Sequence, residues 1–234
     1  MKTAHRRLLS VASAAVSLLI VPALKATPLL TAAYEAQLET WLGEGDLNFT
    51  NVFTKIEGDG QNATAFHLAA DDIGPTFVLM SIYGHGATSG TYSFPSQIIG
   101  GYDPQSWTND NSTNYSTDPA DHTAFLFNLT SSEIALQTGY YQTFNHYAWG
   151  PYFGRGDLAT YYNLEAGYSS VDSYRMGVSP DVITFGASGP GFNIAKLEVY
   201  TFAPAASPVP DTASPLGLLS FSLLALAAFR RRVE

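Results

Sequence analysis

The 234-residue chain carries 20 acidic and 11 basic side chains, a formal charge of −9, and no cysteine. An apolar fraction of 46% with 13% aromatic residues excludes a disordered chain, and the length fits one domain or two small ones. Residues 27–208 lack seven of the bases (Lys2, Arg6, Arg7, Lys25, Arg230, Arg231 and Arg232) but only two of the acids (Asp211 and Glu234), so this stretch keeps four bases and 18 acids, and its charge of −14 argues against nucleic-acid binding.

Residues 1–26 read as an export signal and its helix. Lys2, Arg6 and Arg7 precede an apolar run from Leu8 to Leu24 that Pro22 breaks, and Ala23 and Ala26 offer small residues for cleavage. The alternative is an uncleaved anchor, for which the run sits near the lower limit of roughly 17 residues. In residues 27–47, Leu30, Ala33, Tyr34, Leu38, Trp41 and Leu42 recur at spacings of three and four, which predicts an amphipathic helix over 29–42. Thr27 is the expected N-cap, Pro28 the first helical residue and Gly43 the stop. The helix has no lysine, so it is expected to dock on the domain and not on a membrane surface.

Residues 48–202 read as strands. Segments 49–53, 76–83, 122–129, 140–144 and 194–202 are rich in β-branched and aromatic residues and are separated by Gly, Asn, Asp and Ser clusters. The runs Phe77-Val78-Leu79-Met80 and Ala124-Phe125-Leu126-Phe127 are continuously apolar, which predicts burial on both faces. Short helices are expected near 131–136 and 157–162. Residues 203–208 are a Pro/Ala/Ser linker. Without cysteine the domain is held by its core alone.

The tail, 209–234, begins Val209-Pro210-Asp211-Thr212 and continues with an apolar stretch from Leu216 to Phe229, closed by Arg230-Arg231-Arg232. Such a helix would be roughly 21 Å long, against a hydrocarbon core of about 30 Å, and the arginines would hold its end in the cytoplasm. This layout resembles the PEP-CTERM sorting tail of exported bacterial proteins, with Pro-Asp-Thr where the naming triplet is Pro-Glu-Pro. The resemblance implies a processing protease, an exosortase, as partner. It also implies a membrane anchor, transient or permanent, and a final place in the cell envelope, at the surface or in the extracellular matrix. A plain C-terminal anchor is the alternative.

The ordered landmarks of the body resemble the TLDc domain family. Ala65-Phe66-His67 stands at a Phe-His pair, and Gly74-Pro75-Thr76 precedes the first buried strand. Ile99-Gly100-Gly101-Tyr102 with Trp107 resembles F-G-G-Y-x-x-x-x-W, and Ala124-Phe125-Leu126-Phe127-Asn128-Leu129 follows. Gly150-Pro151-Tyr152-Phe153-Gly154 with Asp157-Leu158 resembles P-x-F-G-x-x-D-L, and Lys196-Leu197-Glu198-Val199-Tyr200 the closing I-E-V-F. The resemblance implies an α+β, mainly β fold: an antiparallel β-sandwich flanked by short helices. It implies no reaction, because the family has no agreed catalytic residues. Its eukaryotic members are linked to oxidative-stress protection and to the vacuolar proton pump, and the pump carries over poorly to an exported chain.

Read physically, most of these residues are architectural. Gly100, Gly101, Gly150 and Gly154 suit positive φ or close backbone approach, and Trp107 and Trp149 suit core edges. His67, between Phe66 and Leu68, reads as a hydrogen-bonded core histidine. Glu198 is expected either to face outward or to pair with Arg155 or Arg175. There is no thiol nucleophile and no G-x-S-x-G, and the histidines lack zinc spacing, so neither metal nor cofactor is expected. Calcium at Glu57-Gly58-Asp59-Gly60 and at Asp103, Asp110 and Asp118 is a weaker alternative, without the EF-hand spacing. The expectation is a non-catalytic exported protein that contacts polysaccharide or a surface protein. One rival is a carbohydrate-binding module stacking sugars on Tyr102, Trp107, Tyr115, Tyr147 or Trp149, with Tyr115 in a polar loop the one to watch. Another is a glycan hydrolase using Asp71 with Asp72, Asp118 with Asp121, or Asp157 with Glu165.

Overall fold

A computed structural model describes residues 27–84, 96–175 and 191–206. The expected signal and tail helices, with the sorting residues Val209 to Thr212 and Arg230 to Arg232, lie outside them. Among the described residues no helix is long and apolar enough to cross a membrane.

Among the described residues two helices accompany twelve strands: α1 (Ala32–Leu42), β1 (Leu47–Ile56), α2 (Ala63–Ala70), β2 (Thr76–Tyr83), β3 (Gln97–Asp103), β4 (Thr113–Tyr115), β5 (Phe125–Asn128), β6 (Glu133–Gln137), β7 (Tyr141–Phe144), β8 (Tyr152–Phe153), β9 (Leu158–Thr160), β10 (Ala166–Tyr168), β11 (Tyr174–Arg175) and β12 (Gly191–Pro204). A single 3₁₀ turn spans Pro119–Asp121. The mainly β, antiparallel character expected from the sequence is present. Hydrogen bonds join the strands into one sheet in the order β11-β6-β5-β3-β2-β12-β10-β9-β8-β7-β4, with β1 also on β12.

The long strand β12 links the two arms of this path. Residues 196–204 pair with β1, whereas Gly191 to Asn193 pair with β10, and the register against β2 shifts between Ile194 and Lys196. Side chains alternate across the pleat, so β2 serves two cores. Phe77 and Leu79 face α1 together with Phe125 and Phe127, and Trp41 of α1 stacks on Phe127 at 6.0 Å. Val78, Met80 and Ile82 face the other way, toward Phe66 of α2 and toward Phe153 and Leu158 of the second arm. Burial of both faces is why these strands read as continuous apolar runs. Gly101 makes the fit possible: a β-carbon there would lie 2.6 Å from the Phe153 ring. At Gly100 it would collide with the Val78 carbonyl.

Several local expectations need correction. The α1 cap is Thr31, whose hydroxyl accepts from the Tyr34 amide, and not Thr27, so Pro28 precedes the helix. Gly43 does end it, at φ 76°. The helices expected near 131–136 and 157–162 are instead β6 and β9, whose backbones are claimed by β5 and by β8 and β10. The extra helix is α2, started by the Asn62 side chain accepting from the Ala65 amide. Tyr115 lies on β4 and not in a loop, and Ala203 and Pro204 belong to β12.

Candidate functional site

The motif residues are placed as supports. Phe66 packs edge-on against Trp107 at 5.5 Å, and Trp107, fully buried, donates its indole N–H to the Thr76 hydroxyl at 2.8 Å. Gly74, at φ 87°, donates its amide to Ser106 before Pro75 turns the chain into β2. At Gly150 a β-carbon would strike Thr160 and Leu164, and the Pro151 carbonyl accepts from the Thr160 amide at 3.1 Å. Gly154, at φ 62°, leaves room for the Asp157 carboxylate. That carboxylate collects the amides of Arg155, Asp172, Ser173 and Tyr174, which favour its charged form; burial outweighs them and raises its pKa.

Glu198 is 3% exposed, so it does not face outward, and Arg155 lies elsewhere, over the Tyr141 ring. The partner of Glu198 is Lys196 at 2.6 Å, with the Leu29 amide and the Tyr200 hydroxyl each donating at 2.7 Å. Both lysines of the body are thus buried in ion pairs, since Lys55 meets Glu165 at 2.7 Å. Lys196 and Glu198 lie two positions apart on one strand face, a spacing the strand period offers and the arginine expectation passed over, whereas Lys55 and Glu165 are 110 positions apart and meet only in the fold.

His67 is hydrogen-bonded and buried, as expected. Its Nε2 lies 3.1 Å from the His146 carbonyl and 3.0 Å from that of Trp149, so this nitrogen donates; Nδ1 meets Asp71 Oδ1 at 2.7 Å. With Nε2 carrying a hydrogen, either the ring is an imidazolium against a carboxylate or Asp71 holds the shared proton. Desolvation is the largest influence on Asp71 and raises its pKa, against the lowering effect of His67. Asp71 and Asp72 share a cavity of about 440 Å³ with Asn109 and Tyr147. The ring is committed to fixing α2 onto the segment between β7 and β8, which leaves it no nitrogen for a substrate.

The other expected acids hold structural partners. Asp118 caps the 3₁₀ turn and Asp121 accepts from the Ser116 hydroxyl, while Asp157 and Glu165 serve different partners. Among the described residues no group of three His, Cys, Asp or Glu side chains could hold a metal ion.

Two surfaces remain. The first is a chain of rings outside the second arm: Tyr147 stacks on His146 at 4.5 Å, His146 meets Phe144, Phe144 meets Tyr152, and Trp149 follows at 5.5 Å with Tyr161 at 5.8 Å beyond it. Tyr147 is 60% exposed and Tyr161 42%. The second is a polar cleft of about 560 Å³ where the chain turns from β6 into β7, lined by Gln105, Asn114, Tyr115, Asp121 and Gln142 among others. Of the aromatics proposed for stacking, Tyr102 and Trp107 are buried and so excluded, while Tyr115 and Tyr147 are open.

The TLDc domain model matches residues 26–203, and the chain belongs to that family. No curated protein matches it.

Proposed function

We propose that this TLDc-domain protein is exported and acts outside the cell as a non-catalytic binder of polysaccharide. The observation that carries the reading is the linked row of rings from Tyr147 to Tyr161. Each ring buries part of its body and leaves some surface to solvent, the arrangement that suits an aromatic to the apolar face of a sugar. The basic run and apolar stretch of residues 1–26 support export, and the tail from Val209 to Arg232 supports sorting by a processing protease with anchorage before cleavage. The family's link to oxidative stress makes stress-dependent expression a secondary expectation.

A hydrolase is favoured by one observation, that Asp71 and Asp72 line the same cavity. The contact of Asp71 with His67 speaks against it, because the carboxyl oxygen that faces the imidazole is not free to serve a glycosidic bond.

Two measurements test the proposal. Intact mass of the protein recovered from the surface fraction of its own cells should lack about 26 residues at each end, the two segments read as signals. Full-length protein run through gels containing soluble polysaccharides should be retarded by at least one of them and release no reducing sugar. Reducing-sugar release would replace binding with hydrolysis.

A further inference from the structure

We infer that the cleft between β4, β6 and β7 is a binding subsite for a short segment of a neutral, hydroxyl-rich glycan, with Tyr115 as its stacking ring. The inference rests on the polysaccharide reading and names where and what the protein binds. A volume of about 560 Å³ lies within the roughly 300–1,000 Å³ of small-ligand sites.

The polar groups of the cleft are of the kind that matches sugar hydroxyls, and they are held in place from behind. Asn114 donates to the Thr143 hydroxyl at 2.8 Å, which orients its amide and leaves Oδ1 as an acceptor. Gln142 donates to Gln137 at 3.2 Å, and the Gln142 carbonyl accepts from the buried Tyr174 hydroxyl at 2.6 Å, so this residue is locked through both backbone and side chain. The exposed Gln105 side chain makes no hydrogen bond among the described residues, although its backbone amide is tied to Asp103 at 3.0 Å. Amides present a donor and an acceptor on one planar group, and neutral sugars present hydroxyls that do both.

Tyr115 supplies the apolar partner. The residue is 52% exposed at the rim, and its ring is braced edge-on by Tyr140 at 5.8 Å and Tyr141 at 5.3 Å. Two of the three tyrosines therefore support the third, which keeps one face for a ligand.

Charge gives the class. Among the described residues, those that line the cleft include one carboxylate, Asp121, and no cation. Lys55 and Lys196 are buried in ion pairs, and Arg155 lies over the Tyr141 ring at 5.2 Å. A uronate or sulfated chain would meet repulsion from a body of charge −14, and among the described residues no cation lines the cleft to offset it. Among the described residues the lining offers no second carboxylate for a hydrolytic pair, which favours binding.

The test is affinity electrophoresis of the full-length chain against a neutral panel (laminarin, dextran, hydroxyethyl cellulose and galactomannan) and against alginate as the polyanion. Retardation by a neutral member is expected, with Tyr115→Ala weakening it about tenfold, Tyr115→Trp restoring it, and Asn114→Ala weakening it as well. Ile56→Ala, an exposed change at the end of β1 that belongs to neither aromatic surface, should keep the binding. Neutral binding that survives both Tyr115→Ala and Asn114→Ala but is lost in Tyr147→Ala would overturn the subsite and leave the polysaccharide reading intact. Equal retardation by alginate would overturn the charge argument. Retardation by alginate alone would sink the neutral subsite and leave the polysaccharide reading, and retardation by no glycan of either kind would sink both. Thermal melts of each variant separate loss of binding from loss of fold.

Discussion

The ammonium of Lys196 and the carboxylate of Glu198 lie 2.6 Å apart on one face of β12, both almost fully withdrawn from solvent. The pair is also a clasp. Lys196 donates to the Thr27 carbonyl at 2.6 Å and Glu198 accepts from the Leu29 amide at 2.7 Å, so the segment leading into α1 is fastened to the central strand. Breaking such a pair leaves one charge buried without its partner. Lys196→Met is expected to destabilise the domain by about 3–5 kcal/mol in urea titration, and Lys196→Met with Glu198→Gln by clearly less. Equal losses in the single and double variants would mean that the pair is not coupled.

Asp157 joins β9 to the turn that leads into β11, accepting from four backbone amides. An asparagine has the same shape but turns one acceptor into a donor facing those amides. Asp157→Asn should therefore cost about 3 kcal/mol, on the scale of one or two buried groups left unsatisfied. Hydrogen exchange should localise the loss to the amides of 172–174. Unchanged exchange there, with a normal melt, would show that the amides find other acceptors.

The central strands were legible and the short elements were not. The run Thr76–Tyr83 coincides with β2 because a strand covered on both faces is apolar throughout, and no turn residue interrupts it. α2 is only eight residues long, and its one local cue, Asn62 ahead of the first turn, sits among other polar residues. β6 and β9 carry three to five residues each, too few to distinguish a period of 2 from one of 3.6. At the cleft, Tyr115 stood out as an aromatic in polar surroundings. Gln105 and Gln142 did not, since amides 37 positions apart give no signal until strand pairing brings them together.

His67 binds two carbonyls and a carboxylate at once, and it is the polar link between α2 and residues 146–149. A glutamine can reach the carbonyls but cannot also hold Asp71 through a ring nitrogen. His67→Gln is expected to lower stability by about 2 kcal/mol, and His67→Ala by more, because it leaves three part-buried partners unmatched and opens a void. The same variants should increase exchange at the amides of 148 and 149. If polysaccharide were cleaved by the wild type and not by His67→Gln, the histidine would have a chemical role that its hydrogen bonds argue against.

Asp103 is fully buried, and desolvation raises its pKa to about 7 against the smaller opposing effects of the Gln105 amide and the Thr143 hydroxyl. Its Oδ2 has no hydrogen-bond partner among the described residues. An acid with a raised folded pKa holds its proton longer in the native state than in the unfolded chain, where it titrates near 3.9. Stability is therefore unaffected below about pH 4, falls as pH rises toward 7, and stays lowered above it. Asp103→Asn removes that dependence but keeps the shape. The stability difference between Asp103→Asn and wild type should shift in favour of the variant by about 2–3 kcal/mol between pH 5 and pH 8, at 1.36 kcal/mol per pKa unit. Denaturant titrations at the two pH values decide it: a difference that does not change with pH would place the Asp103 pKa close to that of a solvated carboxylate. The amide of Gln105 hangs on the same side chain, so glycan retardation by wild type should also change between pH 6 and pH 8, and retardation by Asp103→Asn should not.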